Sequence, residues 1–233
     1  MSPLPYKTAL IVGAGSGLSA SLSRLLAKNG LRLALAARST DDLKALAQET
    51  GAAVFACDAA ERDDVERLFA GVEAKLGSLD VAVYNASYRT RGPVTELDPN
   101  EVEKSLRVSA FAGFLVAQAA AKRMVPRRQG AILFTGASAS VKGYAQSAPF
   151  AMGKFALRGL AQSMARELAP LGIHVAHFVI DGGIRSERRP VSPDNPDSLL
   201  DPDAIAESYV HVLSQPRSAW SWEVELRPWV EKF

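Results

Sequence analysis

Lys154 is the only ionisable residue in the stretch APFAMGKFAL, residues 148–157, and Phe150 lies four positions before it. On a helix the two side chains stack on one face. A phenol at 150 beside that ammonium would form an acid/base pair. Phenylalanine has no proton to pass, so the lysine needs another occupation. A second group with chemical potential is GAGSGLSAS, which follows the short apolar run TALIV (8–12). Glycines in such a turn let backbone N–H groups approach a pyrophosphate at a helix N-terminus. Gly13 and Gly15 fit the first two positions of G-x-G-x-x-G, Ser16 and Gly17 follow, and Leu18 stands where the third glycine belongs. The alternative is a plain tight turn.

Two downstream residues extend the pattern. Arg38 follows the apolar run LRLALAA (31–37), with Ala37 where an acid would bind a ribose 2′-hydroxyl. An arginine there suits a 2′-phosphate through a bidentate fork; otherwise it is a solvated strand-end residue. Asp58, just past AAVFAC (52–57), accepts from an adenine amino group or caps the next helix. His174 and His177 fall inside IHVAHFVI (173–180) and read as core or strand-end residues. No pair of His, Cys or carboxylates has metal-ligand spacing.

The elements that must position these residues alternate along the chain. Apolar runs at 8–12, 31–37, 52–57, 80–85, 131–135 and 173–180 read as strands buried on both faces. Between them lie helices: 17–29, closed by Asn29-Gly30; one to about Thr50 opened by a Ser39/Asp42 capping box; and one whose face is Val65, Leu68, Phe69, Val72 and Leu76. Asp98-Pro99-x-Glu101 supplies an N-cap, an N1 proline and a capping-box acid for a helix to about Met124. A helix over 149–168 ends before Pro170, Asp201-Pro202 opens a last one, and WSWEVEL (220–226) alternates like an edge strand. This repetition predicts an α/β fold with a doubly wound parallel sheet.

The chain has 233 residues, 48% of them hydrophobic, and no Gly/Ser-rich or Pro-rich linker, so 1–233 reads as one domain with a polar, lid-like segment at 185–200. Net charge is +2, and the basic cluster Lys122, Arg123, Arg127 and Arg128 reads as a solvated helix end, not a nucleic-acid patch. Cys57 is the only cysteine, which leaves no internal disulfide and no Cys-rich metal site. The start MSPLPYKTALIVGAG lacks a charged n-region, and no apolar run approaches a membrane span. A cytoplasmic location without a membrane partner is the expectation.

With VGAGSGLS, AARS, ACD, YNAS and FAMGK in this order, the chain resembles the short-chain dehydrogenase/reductase family over most of its length. The resemblance implies a Rossmann-type, three-layer α/β/α fold, NADP(H) as cofactor and a small carbonyl or alcohol as substrate. It assigns cofactor contacts to Gly13, Gly15, Ser16, Gly17, Leu18, Arg38 and Asp58. To these it adds Asn85 and Ala86 of the N-N-A-G-like YNAS, Gly182 and Ile184 of DGGI, and Lys154. Departures are Val12 and Ser19 in the family's T-G-x-x-x-G-x-G, Ser87 in N-N-A-G, and Ser186 where a threonine is usual. Ser19 adds a hydroxymethyl near the phosphates, which tightens or crowds the site.

The family's catalytic set is Asn, Ser, Tyr and Lys. By this resemblance the asparagine position is Ser109, the serine position Ala137 with Ser138 beside it, and the tyrosine position Phe150. Only Lys154 survives, and gripping the cofactor ribose needs no tyrosine. Tyr144, six residues upstream of Phe150, reads first as an aromatic covering the pocket and otherwise as the best candidate for a stand-in proton donor, and Ser138 reaches a carbonyl if the loop shifts by one residue. Two readings remain open: an NADP-dependent oxidoreductase with an altered proton donor, or an inactive NADP-binding sensor or partner subunit. The resemblance also implies a homodimer or homotetramer through the helices at 98–124 and 149–168, with the tryptophan-rich tail AWSWEVELRPWVEKF in a subunit contact.

Overall fold

The computed structural model describes residues 4–187 and 189–231. Met1 to Pro3, Arg188 of the polar segment, and Lys232 and Phe233 of the tail lie outside the described residues. The elements run β1 (Thr8–Val12), α1 (Leu18–Lys28), β2 (Arg32–Ala37), α2 (Lys44–Thr50), β3 (Ala53–Ala56), α3 (Arg62–Leu76) and β4 (Val81–Tyr84). Then come α4 (Pro99–Leu106), α5 (Ala112–Met124), β5 (Gly130–Thr135), α6 (Ala148–Leu168), β6 (Ile173–Ile180), α7 (Pro202–Leu213) and β7 (Glu223–Leu226). Among the described residues the strands form one parallel sheet in the order β3-β2-β1-β4-β5-β6-β7. The order reverses between β1 and β4, and β7 is an edge, as its alternation predicts.

The strands read as continuous apolar runs because helices cover both faces. Successive residues of β1 feed opposite layers: Leu10 and Val12 pack with Val65, Phe69, Val116 and Leu157, while Ala9 and Ile11 pack with Leu22, Leu26, Ile205 and Tyr209. Thus α3, α5 and α6 form one outer layer, and α1 and α7 contribute to the other. The expected face of α3 is the buried one, residue for residue.

Several local expectations are corrected. The turn before α2 is capped at Thr40 without a side-chain bond, so Ser39 and Asp42 form no capping box. Asp98 caps α4 through the Asn100 N–H at 3.0 Å, but Glu101 is held by the Tyr88 hydroxyl and Lys104 instead of closing a box. The helix 98–124 is interrupted by a π turn, Arg107–Phe111, which inserts an extra residue between α4 and α5. Pro99–Arg127 is long and apolar enough to match a membrane span, against expectation; its apolar side instead buries Leu115, Val116, Ala117 and Ala120 in the core. The basic cluster is only partly solvated: Arg123 pairs with Glu73 at 3.0 Å and Arg127 with Asp80 at 3.1 Å.

The tail is also largely absorbed within the chain. β7 pairs with β6, and Trp220 stacks on His174 with centroids 4.6 Å apart. Trp229 alone of the three tryptophans stands out, 81% exposed. The described residues between Asp181 and Asp201 form turns and isolated bridges, as the proline and charge content predict.

Candidate active site

The functional residues converge where the strands end, at the reversal between β1 and β4, the usual crevice of an open α/β sheet. Two adjoining cavities lie there. One, of about 640 Å³, is lined by Gly13, Arg38, Asp58, Ala86 and their neighbours. The other, of about 590 Å³, is lined by Leu18, Ser138, Tyr144, Phe150, Lys154, Gly182 and Ile184 among others. Asn85 and Ser87 line both, so the cavities share a wall at the end of β4. Ser16 and Gly17 line a third, shallower recess with Arg24 and Ser186.

The glycine turn is held by backbone packing. Gly13 has φ +82°, and a Cβ there would collide with the backbone of Ala86. At Gly15 and Gly17, by contrast, the space is open. Ser19, expected near the phosphates, is buried and faces inward: its hydroxyl donates to the Gly13 carbonyl at 3.1 Å and accepts from the Asn85 side chain at 2.7 Å. It tightens the turn and does not crowd it. Asn85 also bonds the Gly13 carbonyl at 3.2 Å and, through its backbone N–H, the Val12 carbonyl at 2.8 Å.

At the far end Arg38 is exposed and has no carboxylate partner among the described residues. Asp58 does two jobs at once: one oxygen accepts from the Ala60 N–H at 3.0 Å, capping the turn into α3, while the residue lines the cavity. Cys57 lies beside it with its thiol pushed up to about 11, burial being the largest cause, and is therefore protonated and unreactive at neutral pH.

Lys154 is buried, 3% exposed, and its Nζ donates to the Thr135 carbonyl at 2.8 Å. Burial alone lowers its pKa from 10.5 to about 8. The Phe150 ring centroid is 5.8 Å from this Nζ and 4.8 Å from the Arg89 Cζ, so two cations approach one ring. Ser109 sits in the π turn, fully buried, and accepts from the Tyr88 N–H at 3.3 Å. It lines neither cavity. Ser138 and Tyr144 both line the Lys154 cavity, Ser138 half-buried and Tyr144 48% exposed.

Sequence reasoning missed two features. The first is a buried relay: the Ser140 Oγ is 3.3 Å from the His177 Nε2, whose Nδ1 is 3.0 Å from Glu223, itself forked by Arg158 at 2.6 and 2.7 Å. It has the atom order of a nucleophilic triad, yet Ser140 and His177 are fully buried and line no cavity described above. Burial is the main cause holding His177 near 4, so the ring stays neutral at physiological pH. Ser140 also accepts from the Ala137 N–H at 3.1 Å, so the relay fixes the loop that carries Ser138. Residues so far apart in the chain give no local signal. The second feature is arginine: Arg89, Arg91 and Arg189 line the Lys154 cavity. Arg89 and Arg91 stand in YRTRG directly after YNAS, and that spacing was the available clue.

A family model described as short chain dehydrogenase matches residues 7–193. A solved short-chain dehydrogenase from Rhodopseudomonas palustris is 33% identical, covering 96% of this chain and 99% of its own, with a TM-score of 0.83. A metagenomic short-chain oxidoreductase solved in complex with NADP is 28% identical, covering 97% and 99%, also with a TM-score of 0.83. Among curated proteins, the cyclic-di-GMP-binding biofilm dispersal mediator protein of Escherichia coli is 33% identical over 204 residues, 85% of this chain and 82% of the relative.

The lysine's dry setting has a measurable consequence. Because its folded pKa of about 8 lies below 10.5, the unfolded chain binds a proton in that window that the folded chain does not. Stability from this group therefore rises with pH through the window and is diminished below it. Lys154→Met should make the ligand-free protein more stable at pH 7 by about 1–3 kcal/mol in urea unfolding. The gap between variant and wild type should close as pH rises towards 10. A gap that is absent, or that widens with pH, would contradict the assignment.

Proposed function

The chain belongs to the short-chain dehydrogenase family, and from that premise we propose that it is an NADP(H)-dependent oxidoreductase acting on a small carbonyl or alcohol, with an altered proton donor. The observation that carries this reading is the pair of cavities sharing Asn85 and Ser87, with Arg38 at one end and the buried Lys154 at the other. That span suits a dinucleotide with a 2′-phosphate, and the metagenomic relative with NADP supports the choice.

The residues fit the cofactor on their own chemistry. Arg38 would grip the 2′-phosphate, the open backbone at Gly15 and Gly17 with Ser16 and Leu18 would receive the pyrophosphate, and Asp58 would meet the adenine. Gly13, Asn85 and Ala86 keep the turn and its wall in register. Lys154 would hold the ribose hydroxyls, and Gly182 and Ile184, which line the same cavity, would border the nicotinamide. NADPH, when bound, supplies the hydride. Ser138 then donates to the substrate oxygen, and Tyr144 supplies the proton that Phe150 cannot. A positioned general acid is worth roughly 10²–10⁴-fold, so turnover through an exposed, unanchored phenol is slower than through a fixed one. The Escherichia coli relative, named a cyclic-di-GMP-binding biofilm dispersal mediator and not an oxidoreductase, favours a second reading: an inactive NADP-binding sensor or partner subunit.

The assembly we propose is a homodimer or homotetramer. Phe111 and Phe114, stacked with centroids 6.2 Å apart, and Met152 and Phe155 of α6 are 38–46% exposed on adjoining helices. Such a patch on two neighbouring helices suits a two-fold contact.

Three outcomes are expected. Calorimetry should find NADPH bound more tightly than NADH, with Arg38→Ala removing a preference of roughly 1.5–3 kcal/mol; equal affinities would refute the cofactor assignment. Phe150→Tyr should raise carbonyl reduction by about 10–10³-fold, placing a hydroxyl beside Lys154. A fast wild type slowed by Tyr144→Phe would locate the proton at Tyr144, and NADPH binding with no turnover in either form would favour the sensor. Light scattering at micromolar concentration should give a dimer or tetramer, and Phe155→Glu should reduce the mass; a wild-type monomer would rule the assembly out.

A further inference from the structure

The cavity around Lys154 holds more positive charge than hydride transfer needs. Arg89 and Arg91 enter it from the loop after β4, and Arg189 from the segment after β6. Among the described residues no aspartate or glutamate lines it. Elsewhere Arg24, Arg107, Arg158 and Arg185 each hold a carboxylate at 2.6–2.8 Å. Among the described residues Arg89, Arg91 and Arg189 have no such partner.

Arg89 also feels the other two. The Arg89 guanidinium is pulled below its ordinary value by burial first, then by the charges of Arg91 and Arg189. Arg189 packs against the chain at the nicotinamide end, where a Cβ on Gly183 would lie 2.6 Å from its Nη1. Arg89 lies over the Phe150 ring, and the same ring neighbours Lys154. An aromatic face stacks and orients a planar guanidinium, leaving its fork of N–H donors for a carboxylate. The phenylalanine at 150 thereby acquires an occupation: it is the platform for Arg89.

We infer that the substrate is an anion, a carbonyl or alcohol compound bearing a carboxylate, which Arg89 grips with Arg91 and Arg189 beside it. The inference rests on the oxidoreductase reading for the carbonyl, and on the three arginines alone for the charge. Substrate binding relieves the mutual repulsion of the guanidinium groups, so a neutral isostere gains less from the same cavity.

The test compares matched pairs on the NADPH-loaded protein: 4-carboxybenzaldehyde against methyl 4-formylbenzoate, and 3-oxobutanoate against its ethyl ester. Binding is followed by calorimetry and turnover by NADPH oxidation. Each acid should bind at least about tenfold more tightly than its ester. Added salt should weaken the acids selectively, because it screens the guanidinium groups. Arg89→Gln and Arg91→Gln should each reduce the preference while leaving NADPH affinity unchanged. Esters used as well as the acids would overturn the substrate inference and leave the oxidoreductase reading standing. Tight binding of an acid without NADPH oxidation would uphold the inference and overturn turnover instead. Variants that lose NADPH affinity but keep the preference for acids would assign the arginines to the cofactor and refute the inference, as would a panel in which no acid binds.

Discussion

Everything at this site depends on how closely the exit of β1 passes the exit of β4. At Gly13 there is no room for a side chain against the Ala86 backbone, and the positive φ excludes most residues on conformational grounds as well. Asn85 and Ser19 then lock that approach with three side-chain hydrogen bonds around the Gly13 carbonyl and the turn. With the two strand ends fixed, the cavities on either side share one rigid wall. Arg38 and Lys154 belong to different elements, yet both are positioned relative to that wall.

A second constraint is electrostatic. Lys154 is kept in dry surroundings with one carbonyl for a partner, which weakens its hold on a proton. Stability and site chemistry therefore oppose each other at this residue, a common condition of functional sites. The loop facing it is stabilised from behind, by the Ser140–His177–Glu223–Arg158 chain that ties the end of β5 to β6, β7 and α6. Neutral His177 suits this purpose, since a buried imidazolium would carry a desolvation cost.

The strands were readable because each is a short apolar run covered on both faces, and the inward face of α3 could be named from periodicity alone. The glycine turn, Arg38 and Asp58 were readable because strand ends fix where a ligand must lie. What escaped reading has no periodicity. Ser19 departs from the family pattern in residue type, but only its inward rotamer and its bond to Asn85 reveal its effect. Glu101 occupies a capping-box position yet is captured by Tyr88 and Lys104, a tertiary competition no local rule contains. The arginines of the Lys154 cavity come from irregular loops, and only the folded chain brings Arg189 near Arg89.

The strand order has a further consequence for how the chain comes to be folded during synthesis. β2 neighbours β1 and β3 lies outside it, so the first quarter of the sequence supplies three adjacent strands. β4 then joins the opposite side of β1, and from that point each strand to emerge lies beside the one made just before it. Among the described strands after β4, each lies at a single edge, and none sits between two that precede it in the chain. Parallel sheets need long loop closures and fold slowly, with edges open to wrong partners. Among the described residues only one edge is extended after β4, and β7 stands at that edge.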